Sequence, residues 1–517
     1  MAESGKMITF AAEMKLLLLK RCIVAAVMLL AMTSTVMAQS HERVGCFVNW
    51  TPRSSVGQTR SGMADITYGY WDWDASRTYR QLVVLVSFVD CDFTMEDPRG
   101  TYDVIFNMPG YTQRDGAGCV ADYFRDQSNG LFNLQFDVYG PYKTSCPVKT
   151  GSPELNEGHE AFMEATEMLI EEYPDMDFSV YDWDGDKVVE PVVYVYAGYC
   201  GNQPAIKDEG YIWPTTGGFG TIKTPDDHEV FMYTASGELW TDNTSHGIGT
   251  ICHEYSHCLG LPDIYPTSAK VSDASIVDEW DLMDGGTVTN YGWCPPNYSP
   301  LEKMIQGWLM PTELTADTTI TGLKPIAEGG EAYLIRQSDD EFYLIENRQW
   351  NGWDYGLPGY GLVVFHVIFN KVNWQVNYVN NVQGQPSYSL KAADGRTFMD
   401  WYNLIKESGS RTQYADSERR LHSRILSEAP YPWQGEETSV SEVTLFDDQS
   451  LGDITQHEDG TVSFTFHTSG SGIRSLKAEP QATGVYTLFG VKVRDDGQTE
   501  GLPKGIYIVC GKKNMVY

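Results

Sequence analysis

The chain lacks most of the signatures that would make a 517-residue protein easy to place. It has no CxxC pair, which disfavours a zinc site built on cysteine. It has no GxSxG elbow, so a serine nucleophile on a strand-to-helix turn is not indicated. No P-loop or GxGxxG follows a strand-like run, which removes the usual phosphate cradle. Basic residues are scarce: 37 Lys plus Arg stand against 70 Asp plus Glu, a formal net charge of −33. Such a surface repels phosphate backbones and anionic lipid, so nucleic acid is excluded as a natural partner. Repeats of solenoid length are absent.

Long apolar runs are also missing, with one short exception. Lys15, Lys20 and Arg21 precede an apolar stretch from Cys22 to Ala31, and Val36-Met37-Ala38 places small residues before Gln39. This is the layout of an export signal, with residues 1–38 removed and cleavage after Ala38. The run is shorter than the roughly 20 residues that span a bilayer, so no permanent membrane anchor is expected. Loss of Cys22 leaves nine cysteines, an odd number at irregular spacing that defines no disulfide framework.

What is present argues for large cores: hydrophobic residues make up 42% and aromatics 13%. Residues 39–78 lack periodicity and read as a leader or short pro-segment. Leu82 to Val89 is a continuous β-branched run suited to a strand buried on both faces. Helical spacing follows in Gly118–Asp126, a strand in Leu131–Tyr139, a helix in Glu157–Tyr173, a strand in Val192–Tyr196 and a helix in Ser245–Leu259. Alternation of this kind predicts an α/β (α+β) catalytic domain over 79–312. Short strands separated by Gly, Asn and Asp then predict an all-β, sandwich-like domain over 313–468, with 370–440 as long loops or an insertion. A Ser/Gly linker isolates a small β unit over 473–517.

The chemistry concentrates in one predicted helix, His253-Glu254-Tyr255-Ser256-His257. Residues four apart share a helix face, so His253 and His257 can present two imidazole nitrogens to one Zn²⁺. Glu254 can take a proton from water activated by that ion. HExxH arises by chance in about one chain in a hundred of this length, and the extension narrows that further. Gly260 allows a sharp exit from the helix, and Asp263 completes HExxHxxGxxD as a candidate third ligand. Met283, in Trp280-Asp281-Leu282-Met283-Asp284-Gly285-Gly286, resembles a Met-turn.

Gly249 through Tyr265 resembles the immune inhibitor A family of secreted bacterial metalloproteases. So do Asp122 through Gly130, Tyr196-Ala197-Gly198, Ile212-Trp213-Pro214, and Pro295 through Ser299 leading into Gly307-Trp308-Leu309. The resemblance implies a metzincin-like zincin fold with His253 and His257 as ligands and Glu254 as general base. Family members often carry an Asp shortly after the Leu-Pro-Asp-x-Tyr segment, where this chain has Pro266-Thr267, and a His after Ile-Trp-Pro, where it has Thr215. The third ligand therefore stays open between Asp263 and a carboxylate near Glu279 and Asp281. The tail resembles the sorting domains of the Bacteroidetes type IX secretion route through Gly505 to Val509 and Gly511-Lys512-Lys513. That resemblance implies a secreted or surface-bound enzyme and the secretion machinery as a partner.

Asp182, Asp184, Asp186 and Glu190 occupy positions 1, 3, 5 and 9 of a calcium-loop pattern, a candidate structural Ca²⁺ site. Lys187 stands where such loops carry Gly, and Val193 where they carry Glu, so an EF-hand proper is excluded. Tyr298, with Tyr291, is a candidate to stabilise an oxyanion. His246 and His366 read as structural histidines. The expected function is a monomeric zinc endopeptidase acting on extracellular protein or peptide substrates. The alternative is an inactive zincin scaffold used for adhesion, against which the intact Glu254 argues.

Overall fold

A computed structural model describes residues 73–468, apart from 153–154, 409–412, 418–419 and 436–438, together with 485–487, 492–494, 502, 505–509 and 512–516 of the tail. The expected signal peptide, and the leader before residue 73, lie outside the described residues. No helix among those described is long and apolar enough to cross a membrane.

The first sheet comprises β1 (Thr78–Ser87), β2 (Asn133–Lys143), β3 (Val192–Tyr199), β4 (Thr215–Lys223) and β5 (Glu229–Leu239), in the order β2-β1-β3-β5-β4. The first four neighbours run parallel, and β4 alone runs antiparallel at the edge. β1 is buried along nearly its whole length, as its unbroken apolar run demands. Between the strands lie α1 (Pro98–Asn107), α2 (Val120–Gln127) and α3 (His159–Glu172), and α4 (Gly249–Cys258) follows them.

Strand register decides which side chains meet which helix. Gln81 pairs with Phe136 and Val83 with Val193, while Val193 pairs with Thr234 and Thr234 with Thr216. These residues share one face because side chains alternate along a strand. Against that face lies α4, where the Tyr255 hydroxyl donates to Gln81 at 2.8 Å and the Tyr255 ring meets Phe124 and Phe136. Tyr194 points the other way and stacks on Phe162 of α3 at 4.5 Å. The mixed α/β layout, with α4 laid across the sheet beside an antiparallel edge strand, is consistent with a zincin-like catalytic domain.

After α5 (Pro300–Ile305), a second sheet takes the order β11-β10-β9-β8-β6, with β6 (Thr312–Glu313), β8 (Tyr333–Arg336), β9 (Glu341–Arg348), β10 (Gly361–Ile368) and β11 (Tyr388–Leu390). Alternation splits its residues between two cores. Leu334, Phe342, Leu344, Val363 and Phe365 enter the core of the catalytic region. Tyr333, Ile335, Tyr343, Ile345, Leu362 and Val364 enter a second core. That second core is shared with a four-stranded sheet of β7 (Thr318–Leu323), Val443–Phe446, Gln449–Gln456 and Val462–Thr468. Sharing one face with the core of the first sheet makes the described residues up to His467 one compact unit. The segment 370–440, expected as long loops or an insertion, contains α6 (Lys371–Gln375) and a helix over Phe398–Ser408. Thr468–Tyr517 forms the other unit, with an antiparallel sheet of Lys492–Arg494, Val485–Thr487, Gly505–Val509 and Lys512–Val516.

Candidate metal centre

All ten residues of α4 are buried. The helix begins at Gly249, four residues later than its periodicity predicts. Gly247 has φ +76°, and Gly249 passes so close to Thr287 that a Cβ would lie 2.1 Å from its carbonyl oxygen. His246 therefore precedes the helix. It donates its backbone N–H to Glu238, and its ring packs on Trp240 at 3.9 Å. Burial pushes its pKa down to about 3, so it stays neutral.

The other end closes as the sequence predicts. Gly260 has φ +86°, the Gly260 N–H donates to His257 O, and the Leu261 N–H donates to Ser256 O. These two bonds form a Schellman cap, which turns the chain back across the last helical turn. Asp263 is thereby carried to the histidines, its Oδ1 lying 3.2 Å from His253 Nε2 and 3.3 Å from His257 Nε2. Asp281 accepts from Met283 N–H at 2.8 Å through Oδ1, and among the described residues neither it nor Glu279 joins the two histidines in a group that could hold a metal.

Backbone carbonyls orient both rings. His253 Nδ1 is 2.8 Å from Leu282 O, and His257 Nδ1 is 2.7 Å from Leu261 O. With Nδ1–H donating, each Nε2 keeps its lone pair for the centre, the usual outer support of a metal-bound histidine. Met283 lies fully buried next to this carbonyl, and its own O accepts from Ile264 N–H at 2.8 Å. Met283 is thus tied directly to the segment that bears Asp263.

Three observations test whether a metal fits. His253, His257 and Asp263 offer ligand atoms all within 4.8 Å of one another. His257 Nε2 and Asp263 Oδ1 are fully buried yet have no hydrogen-bond partner. Ligand bonds of about 2.0–2.1 Å in a tetrahedron separate ligand atoms by about 3.3–3.4 Å, which matches the two contacts above. Two imidazole nitrogens and one carboxylate oxygen are a donor set that could hold a metal ion. Burial disfavours ionised Asp263, but the adjacent histidines outweigh it and hold the carboxyl well below its usual range. Burial likewise lowers His257, yet the Asp263 carboxylate more than offsets this and raises its pKa to about 9, so without a metal His257 keeps a proton that metal binding would displace from Nε2.

Glu254 is 5% exposed, and burial raises its pKa, with the two histidines opposing. Thr216, from the edge strand β4, places its Oγ1 2.6 Å from Glu254 O and 3.2 Å from Oε2. Nothing in the sequence marked Thr216, because a Gly-rich stretch such as Thr215–Lys223 does not read as a strand. Tyr265 lies nearly parallel to the His253 ring, 6.4 Å away.

Tyr298 sits elsewhere than its expected role requires. It is fully buried, hydrogen-bonds Ser256 through its hydroxyl, and stacks on Trp308 at 5.8 Å. A large aromatic beside the helix was better used by the core than by the site. Tyr291 adopts φ +61° and holds the Arg114 guanidinium over its ring. The seven cysteines among the described residues are all free thiols, Cys252 and Cys258 included.

The acidic loop brings Asp182, Asp184 and Asp186 together, with Glu190 outside that group. Glu190 is buried and faces Trp183 N at 3.4 Å. The Asp182 carboxylate accepts from the N–H groups of Gly185, Asp186 and Lys187. Lys187 has φ +72°, the conformation that Gly supplies in calcium loops. The buried His228 places its Nε2 3.6 Å from Asp182.

No curated protein matches the chain. Residues 223–305 match the family model for the immune inhibitor A peptidase M6 catalytic domain, a stretch that holds both histidines, Glu254, Asp263 and Met283, and this similarity supports a metallopeptidase.

Proposed function

We propose that the chain is a secreted zinc endopeptidase that hydrolyses peptide bonds of extracellular proteins, with Glu254 as general base. The observation that carries this reading is the convergence of His253 Nε2, His257 Nε2 and the unpartnered Asp263 Oδ1, with the Glu254 carboxylate on the next helical position. A zinc ion held there supplies Lewis acidity and lowers the pKa of a water molecule. Glu254 takes that proton and returns it to the leaving amine, a task that its raised pKa suits. Thr216, whose hydroxyl lies 2.6 Å from Glu254 O and 3.2 Å from Oε2, ties the edge strand to the base. As an edge strand, β4 can pair with an extended substrate backbone, and Gly217, Gly218 and Gly220 leave its surface low.

Glu254→Gln should lower cleavage of casein or gelatin by at least about 10²–10⁴-fold while keeping zinc. Retained cleavage would sink the reading. A zinc-loaded wild type that binds protein tightly without cutting it would favour the adhesion scaffold instead. Export by residues 1–38, sorting by the tail and action as a monomer belong to the same proposal. So does a structural Ca²⁺ held by Asp182, Asp184 and Asp186. Added Ca²⁺ should raise the melting temperature of the wild type and leave that of Asp184→Asn unchanged.

A further inference from the structure

The third ligand is held by a residue more than a hundred positions away. Asn377 follows α6, is 6% exposed and adopts φ +55°, a left-handed conformation that Asn tolerates better than most residues. Its Oδ1 accepts the Asp263 backbone N–H at 2.7 Å, and its Nδ2 donates to Asp263 Oδ2 at 2.7 Å. The orientation of the amide follows from these partners, since a backbone N–H needs an acceptor and a carboxylate needs a donor. With Oδ2 engaged, Oδ1 is the oxygen turned toward His253 and His257.

The same strap continues down the loop that follows Asp263. Asn380 donates to Ile264 O at 2.7 Å. Asn381 accepts from Ser268 N–H at 2.6 Å and donates to Thr267 Oγ1 at 2.8 Å. Gln383 accepts from Ser272 N–H and donates to Asp273. Of these four, Asn377 alone touches a ligand; the others secure the loop.

We infer that Asn377 is a positioning residue of the metal centre, clamping Asp263 so that a single carboxylate oxygen is presented to the ion. This rests on the reading of His253, His257 and Asp263 as zinc ligands. The clamp is specific to an amide. An aspartate in its place would set two carboxylates against each other, and glycine would keep the backbone conformation while removing both hydrogen bonds. The strap belongs to the region that follows the catalytic sheet, so the metal centre is completed from outside the segment that carries HExxH.

The test uses the full chain, stripped of metal and titrated with Zn²⁺ against a chromophoric chelator, with Co²⁺ absorption and the metal-free melting temperature measured in parallel. Asn377→Gly and Asn377→Asp should bind Zn²⁺ about 10–100-fold more weakly, and their Co²⁺ bands should differ from those of the wild type. Asn381→Ala, which loosens the same strap without touching Asp263, should lower the metal-free melting temperature and leave Zn²⁺ affinity near that of the wild type. Wild-type affinity and an unchanged Co²⁺ band in a folded Asn377 variant would overturn the inference. So would an equal loss of affinity in Asn381→Ala, or the failure of both Asn377 variants to fold, since each means that the strap acts only through stability. A wild type that takes up no Zn²⁺ would overturn the metallopeptidase reading as well, a result distinguishable from all of these.

Discussion

Two polar clusters lie fully buried in this unit, and their charges are balanced in opposite ways. Around Arg348, the counter-charges are all side chains of the chain itself. Glu346 and Asp354 contact the guanidinium at 2.7 and 2.6 Å, Asn297 O accepts a further N–H at 3.0 Å, and none of the three ionic side chains is exposed. Around Asp263 there is an equally buried carboxylate, but it faces two histidine nitrogens, one of which has no partner, across a gap of 3.2–3.3 Å. The first cluster contains its own permanent cation, although Glu346 Oε2 and Asp354 Oδ2 keep no hydrogen-bond partner, whereas the second has only titratable histidines beside its carboxylate. A buried carboxylate costs far less beside a cation, so the cluster that lacks a permanent one is the cluster that gains from binding a metal ion.

The sharpest way to break this contrast is to remove one partner from each. His257→Ala should abolish Zn²⁺ binding and casein cleavage, and it should make the melting temperature insensitive to a zinc-selective chelator when Ca²⁺ is held constant. Wild-type protein should instead lose the roughly 4 kcal/mol that a ligand at about a thousandfold above its Kd contributes. Arg348→Met should do the reverse. It strands Glu346 and Asp354, costing about 3–5 kcal/mol in denaturant unfolding, yet folded protein should bind Zn²⁺ as the wild type does. Loss of Zn²⁺ affinity in folded Arg348→Met would show that the clusters are one system.

A smaller effect sharpens the comparison through pH. Burial, opposed by Arg348, pushes the Glu346 carboxyl from its ordinary 4.5 up to about 7. Between those values the folded chain keeps a proton that the unfolded chain has released. The stability this group contributes is therefore full below about 4.5 and lost as pH rises to about 7. Glu346→Gln should flatten the stability profile across that window by up to about 3 kcal/mol, read by urea unfolding at each pH. An unchanged slope would mean that Glu346 is already ionised when folded.

Local features of the site were legible in the sequence because their causes are local. The helix face of His253 and His257, the turn at Gly260 and the run that becomes β1 each depend on residues within a few positions. What escaped depends on distance. Asn377 meets Asp263 across 114 residues, Thr216 reaches Glu254 from a Gly-rich strand, and Tyr298 was claimed by a core that no local pattern describes. The start of α4 was misjudged because helical periodicity does not report the close approach of Thr287 to Gly249. Lys187 shows the same limit, since its positive φ supplies the turn for which Gly is the usual sequence signal.

The most direct test of the metal centre is an anomalous difference map from a crystal of the zinc-loaded chain, recorded on both sides of the zinc absorption edge. The account predicts one peak about 2.0–2.2 Å from His253 Nε2, His257 Nε2 and Asp263 Oδ1, and none in the Arg348 cluster. A zinc-replete crystal with no peak between those three atoms, or with its zinc held by Glu279 or Asp281, would contradict it.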